Sequence, residues 1–280
     1  MKIQATFTLF FYFSLCAHSD AQFPKSSLGI KSGIVSSYIS GLDKTILSEP
    51  YFVNYTLKRQ NTHGLFLGVF YNRLGYKTPT SEIINENDSN SQKRWLFQAH
   101  AEFSEQGSEL VLNNHEKDFN YKIIFDYNYI SAGFDLKYYF LGKGTDAIIN
   151  KWRNRFKGLN GGLGFQVGFN TSPDEITYTS WGAGREPVFD SDSLEQKKIR
   201  DVLKGKTIAG VNLIAGYDII TVRKGSYVNS GVSIEARVFF GLKDAVETHA
   251  NPYNFIDNWN MNVVYQLLIG INLYKLVKKK

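Results

Sequence analysis

Apolar and polar residues alternate along most of this chain, with a period of two. In Leu159–Asn170 (LNGGLGFQVGFN) the odd positions Leu159, Leu163, Phe165, Val167 and Phe169 are apolar, while the even ones are Asn, Gln or Gly. A strand sends successive side chains to opposite faces, so one face here is apolar and the other small and polar. A helical period would spread both classes around the circumference. The same alternation places Trp95, Phe97, Ala99, Ala101 and Phe103 on one strand face. It recurs in Ile130–Phe140, in Val211–Ile219 with Leu213 and Tyr217, in Val228–Phe240 with Ile234 and Val238, and in Val263–Leu273 with Leu267 and Ile269. Two less regular strands are expected at Leu28–Tyr38 and Leu65–Tyr76, which brings the expected strands to eight.

The segments between these strands read differently. Residues 80–93 and 171–193 have the composition of loops, 194–204 (LEQKKIRDVLK) reads as a helix, and 146–157 (DAIINKWRNRFK) as a short basic helix. A tight turn is expected near Arg223–Ser226. With both chain ends on one side, the links at 41–60, 107–122, 171–205 and 242–261 fall together on the other side and are expected to be long loops. The links at 77–93 and 142–157 are longer than that pattern asks for, which leaves a ten-stranded arrangement open.

Alternating strands suit either a soluble sandwich or lipocalin-like barrel, with apolar rows inward, or an outer-membrane barrel, with apolar rows facing lipid. The polar rows favour the second. They are rich in glycine (Gly133, Gly162, Gly164, Gly168, Gly210, Gly216, Gly231, Gly270), which weakens a water-facing strand but leaves space inside a narrow lumen. Most of the strands also reach the roughly 9–11 tilted residues that cross a bilayer. Aromatic residues near strand ends (Tyr38, Tyr76, Trp95, Tyr138, Phe140, Tyr227, Phe240, Tyr274) match an interfacial girdle. The fold class expected is therefore all-β, an antiparallel up-and-down transmembrane barrel of eight strands with long extracellular loops.

Composition adds a few limits. The 280 residues include 21 Phe, 17 Tyr and 4 Trp but a single cysteine, Cys16, which excludes a disulfide framework or a Cys-rich metal module. A net charge of +6, scattered along the chain, gives no reason to expect a nucleic-acid partner. The first residues have the three parts of an export signal: Lys2, the apolar run Phe7–Leu15, and the small-residue site Ser19–Ala21 before Gln22. The expected organisation is a signal peptide at 1–21 and a barrel domain at 22–280. Lipidation at Cys16 is the weaker alternative, because bulky Leu15 precedes it.

Several stretches together resemble the PorT-like outer-membrane β-barrel family of Bacteroidota-type bacteria. They are LGIKSGIVS at Leu28–Ser36, WLFQAHAEFSEQG at Trp95–Gly107, YNYISAGFDLKYYF at Tyr127–Phe140, GVSIEARVFFGL at Gly231–Leu242 and the closing LLIGINLYKL, with the Ala21–Gln22 junction. The resemblance implies an eight-stranded barrel of the outer membrane and, in one branch of the family, assistance to protein secretion. It implies no catalytic motif and no cofactor. The C-terminus departs from the family pattern, since barrels usually end on an aromatic residue and here Lys278–Lys280 follow Tyr274.

The lumen-facing rows hold Lys31, His100, Glu102, Asp135, Lys137, Asp218, Glu235 and Arg237. Eight strands leave room only for side chains, so the expected role of these groups is a paired polar plug. A narrow conduit is the functional alternative. His100, Glu102 and Ser104 share one strand face and raise a second alternative, a lipid-directed hydrolase. Their backbone spacing of about 6.6 Å argues against direct bonding between neighbours. His63, His115 and His249 stand apart without ligand spacing, so no metal site is expected. The Gly-rich 161–168 stretch lacks the Lys-Ser/Thr ending of a phosphate loop. Expected partners are outer-membrane lipid and, through the loops, other envelope or secretion proteins.

Overall fold

The computed structural model describes residues 26–42, 56–74, 95–114, 119–140, 158–171, 175–182, 205–221, 228–246 and 259–275. The export signal, the two expected helices, the 80–93 loop and the turn at 223–226 lie outside the described residues. Ten strands form: β1 (Ser26–Ser40), β2 (Thr56–Gln60), β3 (Thr62–Leu74), β4 (Trp95–Asn114), β5 (Phe119–Tyr139), β6 (Leu159–Asn170), β7 (Glu175–Gly182), β8 (Ile208–Thr221), β9 (Val228–Asp244) and β10 (Met261–Lys275). Every pairing is antiparallel. The sheet runs β2-β4-β3-β1-β10-β9-β8-β6-β5-β7, and β4 also pairs with β5, which bends it round on itself into a barrel-like ring.

The two ends of the ring differ. At the terminal end, β1 and β10 pair through Ser27 and Tyr274. At the far end, β4 and β5 continue together past the other strands, in unbroken register from Trp95 opposite Tyr138 to Asn114 opposite Phe119. β2 pairs with the outer part of β4 and β7 with the outer part of β5, giving a four-stranded blade that extends the wall. Phe66 faces Ser104 but Gln60 faces Glu109, so one extra residue is taken up on the β2–β3 side, the signature of a bulge.

This blade corrects the expected loops. Of the link placed at 107–122 only 115–118 lie outside β4 and β5, while Thr56–Gln60 and Glu175–Gly182 are strands within links read as loops. The link at 242–261 also begins in order: Lys206 N–H donates to the Ala245 carbonyl at 2.8 Å. Composition misled because these segments are as polar as loops, yet a water-borne strand carries polar residues on one face too.

The side-chain rows change character along β4 and β5. Below residue 104 the outward row of β4 is Trp95, Phe97, Ala99, Ala101 and Phe103, and the inward row includes Gln98, His100 and Glu102. Above it the outward row becomes Glu105, Gly107, Glu109 and Asn113, with Val111 among them, while the inward row passes through Gln106 and Ser108 to Leu110 and Leu112 before ending on Asn114. β5 mirrors this in register. Phe103 faces Ile130 on the apolar side of the change, and Glu105 faces Asn128 on the polar side. Ile123, Phe125, Tyr127 and Tyr129 then point inward. The alternation keeps its period but inverts its phase.

The interior accordingly has two zones. The far-end zone is apolar, built from Val35, Ile39, Leu42, Phe66, Leu110, Leu112, Phe125, Tyr127, Ile208, Phe239, Val246, Val264 and Leu268, with Leu57 of β2 packed against it. The terminal-side zone is polar. Around the latter the outer wall is apolar, with Leu28, Ile30 and Ile34 on β1, Leu65, Leu67 and Val69 on β3, and Leu267, Ile269 and Ile271 on β10 all exposed. On β6 the outward row from Leu159 to Phe169 spans about 33 Å of strand at 3.3 Å per residue. At a tilt of roughly 40° that is about 25 Å of height.

Candidate functional site

The polar zone is one connected network centred on Arg237 of β9, a side chain 1% exposed. Its Nη1 donates to Glu102 Oε2 at 2.9 Å, its Nη2 donates to Asp135 Oδ2 at 3.1 Å and Glu235 Oε1 at 3.0 Å, and its Nε donates to Glu235 Oε1 at 3.3 Å. A planar guanidinium fits this task, since its five donors spread in a fixed fork that can reach three carboxylates. Lys31 of β1 donates to Glu235 Oε2 and to Gln98 Oε1, both at 2.7 Å. Lys137 of β5 donates to the same Glu235 oxygen.

Strand alternation explains why these groups meet. Lys31, His100, Glu102, Asp135, Lys137, Glu235 and Arg237 all occupy inward positions and all are buried. Glycines on facing strands make the room. A Cβ at Gly133 would lie 2.8 Å from His100 Nε2, and one at Gly164 would coincide with the Asp135 carboxylate. Three carboxylates (Glu102, Asp135, Glu235) therefore sit against three fixed cations (Lys31, Lys137, Arg237). Charges removed from water need such partners, because an unpaired one costs several kcal/mol, on the order of 3–5 when its partner is removed.

His100 lies between two acids, with Nδ1 3.1 Å from Glu102 Oε2 and Nε2 3.5 Å from Asp135 Oδ1. The expectation that neighbours on one strand face are too far apart to touch is corrected here. It measured the backbone, whereas a histidine and a glutamate two residues apart lean together across that gap. Ser104, by contrast, accepts a hydrogen bond from Gln106 Nε2 at 2.6 Å and is fully buried. The row His100, Glu102, Ser104 faces the packed interior and not the apolar outer wall.

Asp218 stands at the edge of the network, only partly buried, and accepts a hydrogen bond from the Tyr139 hydroxyl. The neutral members were not singled out from the sequence. Gln98 Nε2 donates to Asn72 Oδ1 at 2.6 Å, and Asn72 Nδ2 donates to Ser27 Oγ at 3.0 Å. Gln166 Nε2 donates to Glu102 Oε1 at 2.5 Å, and Asn212 Nδ2 to Gln166 Oε1 at 3.1 Å. Their positions on the inward rows were the available signal. Together these bonds tie β1, β3, β4, β5, β6, β8 and β9 across the ring.

The second feature is the blade. Its outward face carries Glu105, Glu109, Lys122, Asp126 and Asn128, with Lys122 Nζ 2.7 Å from Glu109 Oε2. Its inward face belongs to the apolar zone. Among the described residues no group of His, Cys, Asp and Glu is arranged to hold a metal ion.

No protein-family model matches the chain, and no curated protein matches it. Among solved structures it is similar to Ail, the attachment invasion locus protein of Yersinia pestis, in complex with the heparin analogue sucrose octasulfate. That similarity is 10% in identity over 90% of this chain and 99% of the other, with a TM-score of 0.25. At that score the reading of the fold rests on this chain's own strand pairing.

Proposed function

We propose that the chain is an integral β-barrel of the bacterial outer membrane with a non-enzymatic, structural or binding role. In this reading the closed wall has eight strands (β1, β3, β4, β5, β6, β8, β9 and β10), and β2 and β7 extend it beyond the lipid. The interior ion network and the apolar far-end zone plug the lumen, so the barrel is a scaffold and not a conduit. The blade and the far-end loops are the parts that contact partners or ligands. These would be other envelope or secretion proteins, as the PorT-like resemblance suggests. No cofactor is required.

The observation that carries this reading is the inversion of phase in β4 and β5. A strand passing from hydrocarbon to water should swap its faces, apolar-out becoming polar-out, where the solvent changes. On the outward rows the swap falls between the Phe103–Ile130 and Glu105–Asn128 pairs; the inward row of β5 turns apolar at Tyr129 and that of β4 follows at Leu110, after Gln106 and Ser108. A soluble ligand-binding barrel would keep its apolar row inward throughout. A hydrolase would need Ser104 and His100 within reach of lipid, and both are enclosed.

The test combines extraction with labelling. The protein should remain in washed membranes through salt and carbonate, and should run faster on gels before boiling than after. Cysteines placed singly at Ala101 and Asn113 should differ in reaction with a membrane-impermeant maleimide on whole cells, the second labelling and the first not. Equal labelling of both, or release by carbonate, would sink the membrane reading.

A further inference from the structure

On the outer wall just above the apolar band, three strands bring together a cation and two phenols. Arg59 of β2 is exposed and, although its strand position lies opposite inward Leu110, its side chain reaches over the Tyr38 ring of β1, the guanidinium carbon 4.2 Å from the ring centroid. The Tyr38 ring packs beside that of Tyr265 on β10, the centroids 6.4 Å apart. Asn61 Nδ2 donates to Ser36 Oγ at 3.1 Å beside them, and His63, opposite Ser36, is exposed. Among the described residues the partner of Arg59 across β4 is Leu110, and its strand neighbours are Lys58 and Gln60. A cation–π contact of this kind uses the face of a guanidinium and not its N–H donors.

Directly toward the terminal end the wall is apolar. Leu65, Ile34 and Leu267 lie side by side across three strands, in register and exposed by 62%, 62% and 52%. A cationic, hydroxyl-rich cluster above a continuous apolar column has the two-part chemistry of a phospholipid: an anionic head and hydrocarbon tails.

We propose that Arg59, Tyr38 and Tyr265 form a binding site for the phosphate of an anionic lipid headgroup, with the acyl chains lying along Leu65, Ile34 and Leu267. The inference deepens the membrane reading and rests on it. Arg59 supplies the charge, and Tyr38 sets its orientation and closes the lower side of the site.

The test is native mass spectrometry of the full-length protein in detergent, with phosphatidylglycerol, phosphatidylcholine or inorganic phosphate added in separate arms. The wild type should retain phosphatidylglycerol over phosphatidylcholine. Arg59→Gln should reduce that retention about fivefold, the effect of one basic residue near an anionic surface. Lys58→Gln, one residue away and opposite Val111 on the outward row of β4, should leave it unchanged. Equal retention by Arg59→Gln and wild type, or an equal loss in Lys58→Gln, would overturn the site. Arg59-dependent binding of inorganic phosphate as strong as that of the lipid would overturn the lipid as its ligand. Carbonate resistance without lipid preference counts against this site alone, whereas loss of carbonate resistance counts against the membrane reading beneath it.

Discussion

Replacing Arg237 by methionine tests the network at its centre. The guanidinium makes four hydrogen bonds to Glu102, Asp135 and Glu235. Methionine fills much of the same volume but supplies none of them. Three buried carboxylates then face two lysines, and the loss for breaking a buried pair by removing one partner is about 3–5 kcal/mol. With a urea slope of about 2–3 kcal/mol per molar, a loss near 4 kcal/mol lowers the unfolding midpoint by roughly 1.3–2 M. The assay is urea unfolding in lipid vesicles, followed by tryptophan fluorescence and by gel mobility without boiling. Adding Glu102→Gln to Arg237→Met removes one of the stranded charges. The double variant should therefore recover part of the loss, with a coupling of about 0.5–3 kcal/mol. A midpoint shift below about 0.3 M, or strict additivity of the two changes, would refute the idea that the charges are held by mutual pairing.

Further predictions follow from the two zones and the outer wall. Ile269→Arg, in the middle of the outward row of β10, should destabilise the protein by about 2–4 kcal/mol in vesicles. Asn113→Arg, on the outward face of the blade, should change stability by no more than about 0.5 kcal/mol in the same assay. Phe125→Ala should cost about 3–5 kcal/mol of packing in the far-end zone. Because Phe125 sits opposite Ser108 on the part of β4–β5 that extends past the apolar outer band, the loss should appear as protease sensitivity near 115–118, with the heat-dependent mobility shift retained. Gly164→Ala should place a methyl group on the Asp135 carboxylate, costing about 1–3 kcal/mol, and urea midpoints should show it.

The period-two rows were enough to read the strands of the ring from sequence, because an apolar outer face and a tight polar interior allow little else. Inward placement of Lys31, Glu102, Asp135, Glu235 and Arg237 followed from the same arithmetic. Which acid would meet which base did not, since that depends on cross-strand register and strand order. Leu110, Leu112, Ile123 and Phe125 went unread for a different reason. Here the apolar residues come in short runs, Leu110–Leu112 and Ile123–Phe125, set in polar stretches whose outward row is polar, and such a pattern looks like loop. The bulge between Gln60 and Phe66 has no sequence mark of its own.

The Lys31–Glu235 contact joins residues 204 positions apart, and its consequence concerns how the chain assembles. The β4–β5 hairpin spans only four intervening residues and can form early, since short loops close with little entropy loss. Lys31 cannot reach its acid until the first strand has met the last and β9 lies beside it. Neutralising the interior and closing the seam are thus one event. In a half-built sheet β5 already carries Asp135 beside Lys137 and β9 carries Glu235 bonded to Arg237, but Lys31, on the first strand, joins them only when the ends of the chain come together.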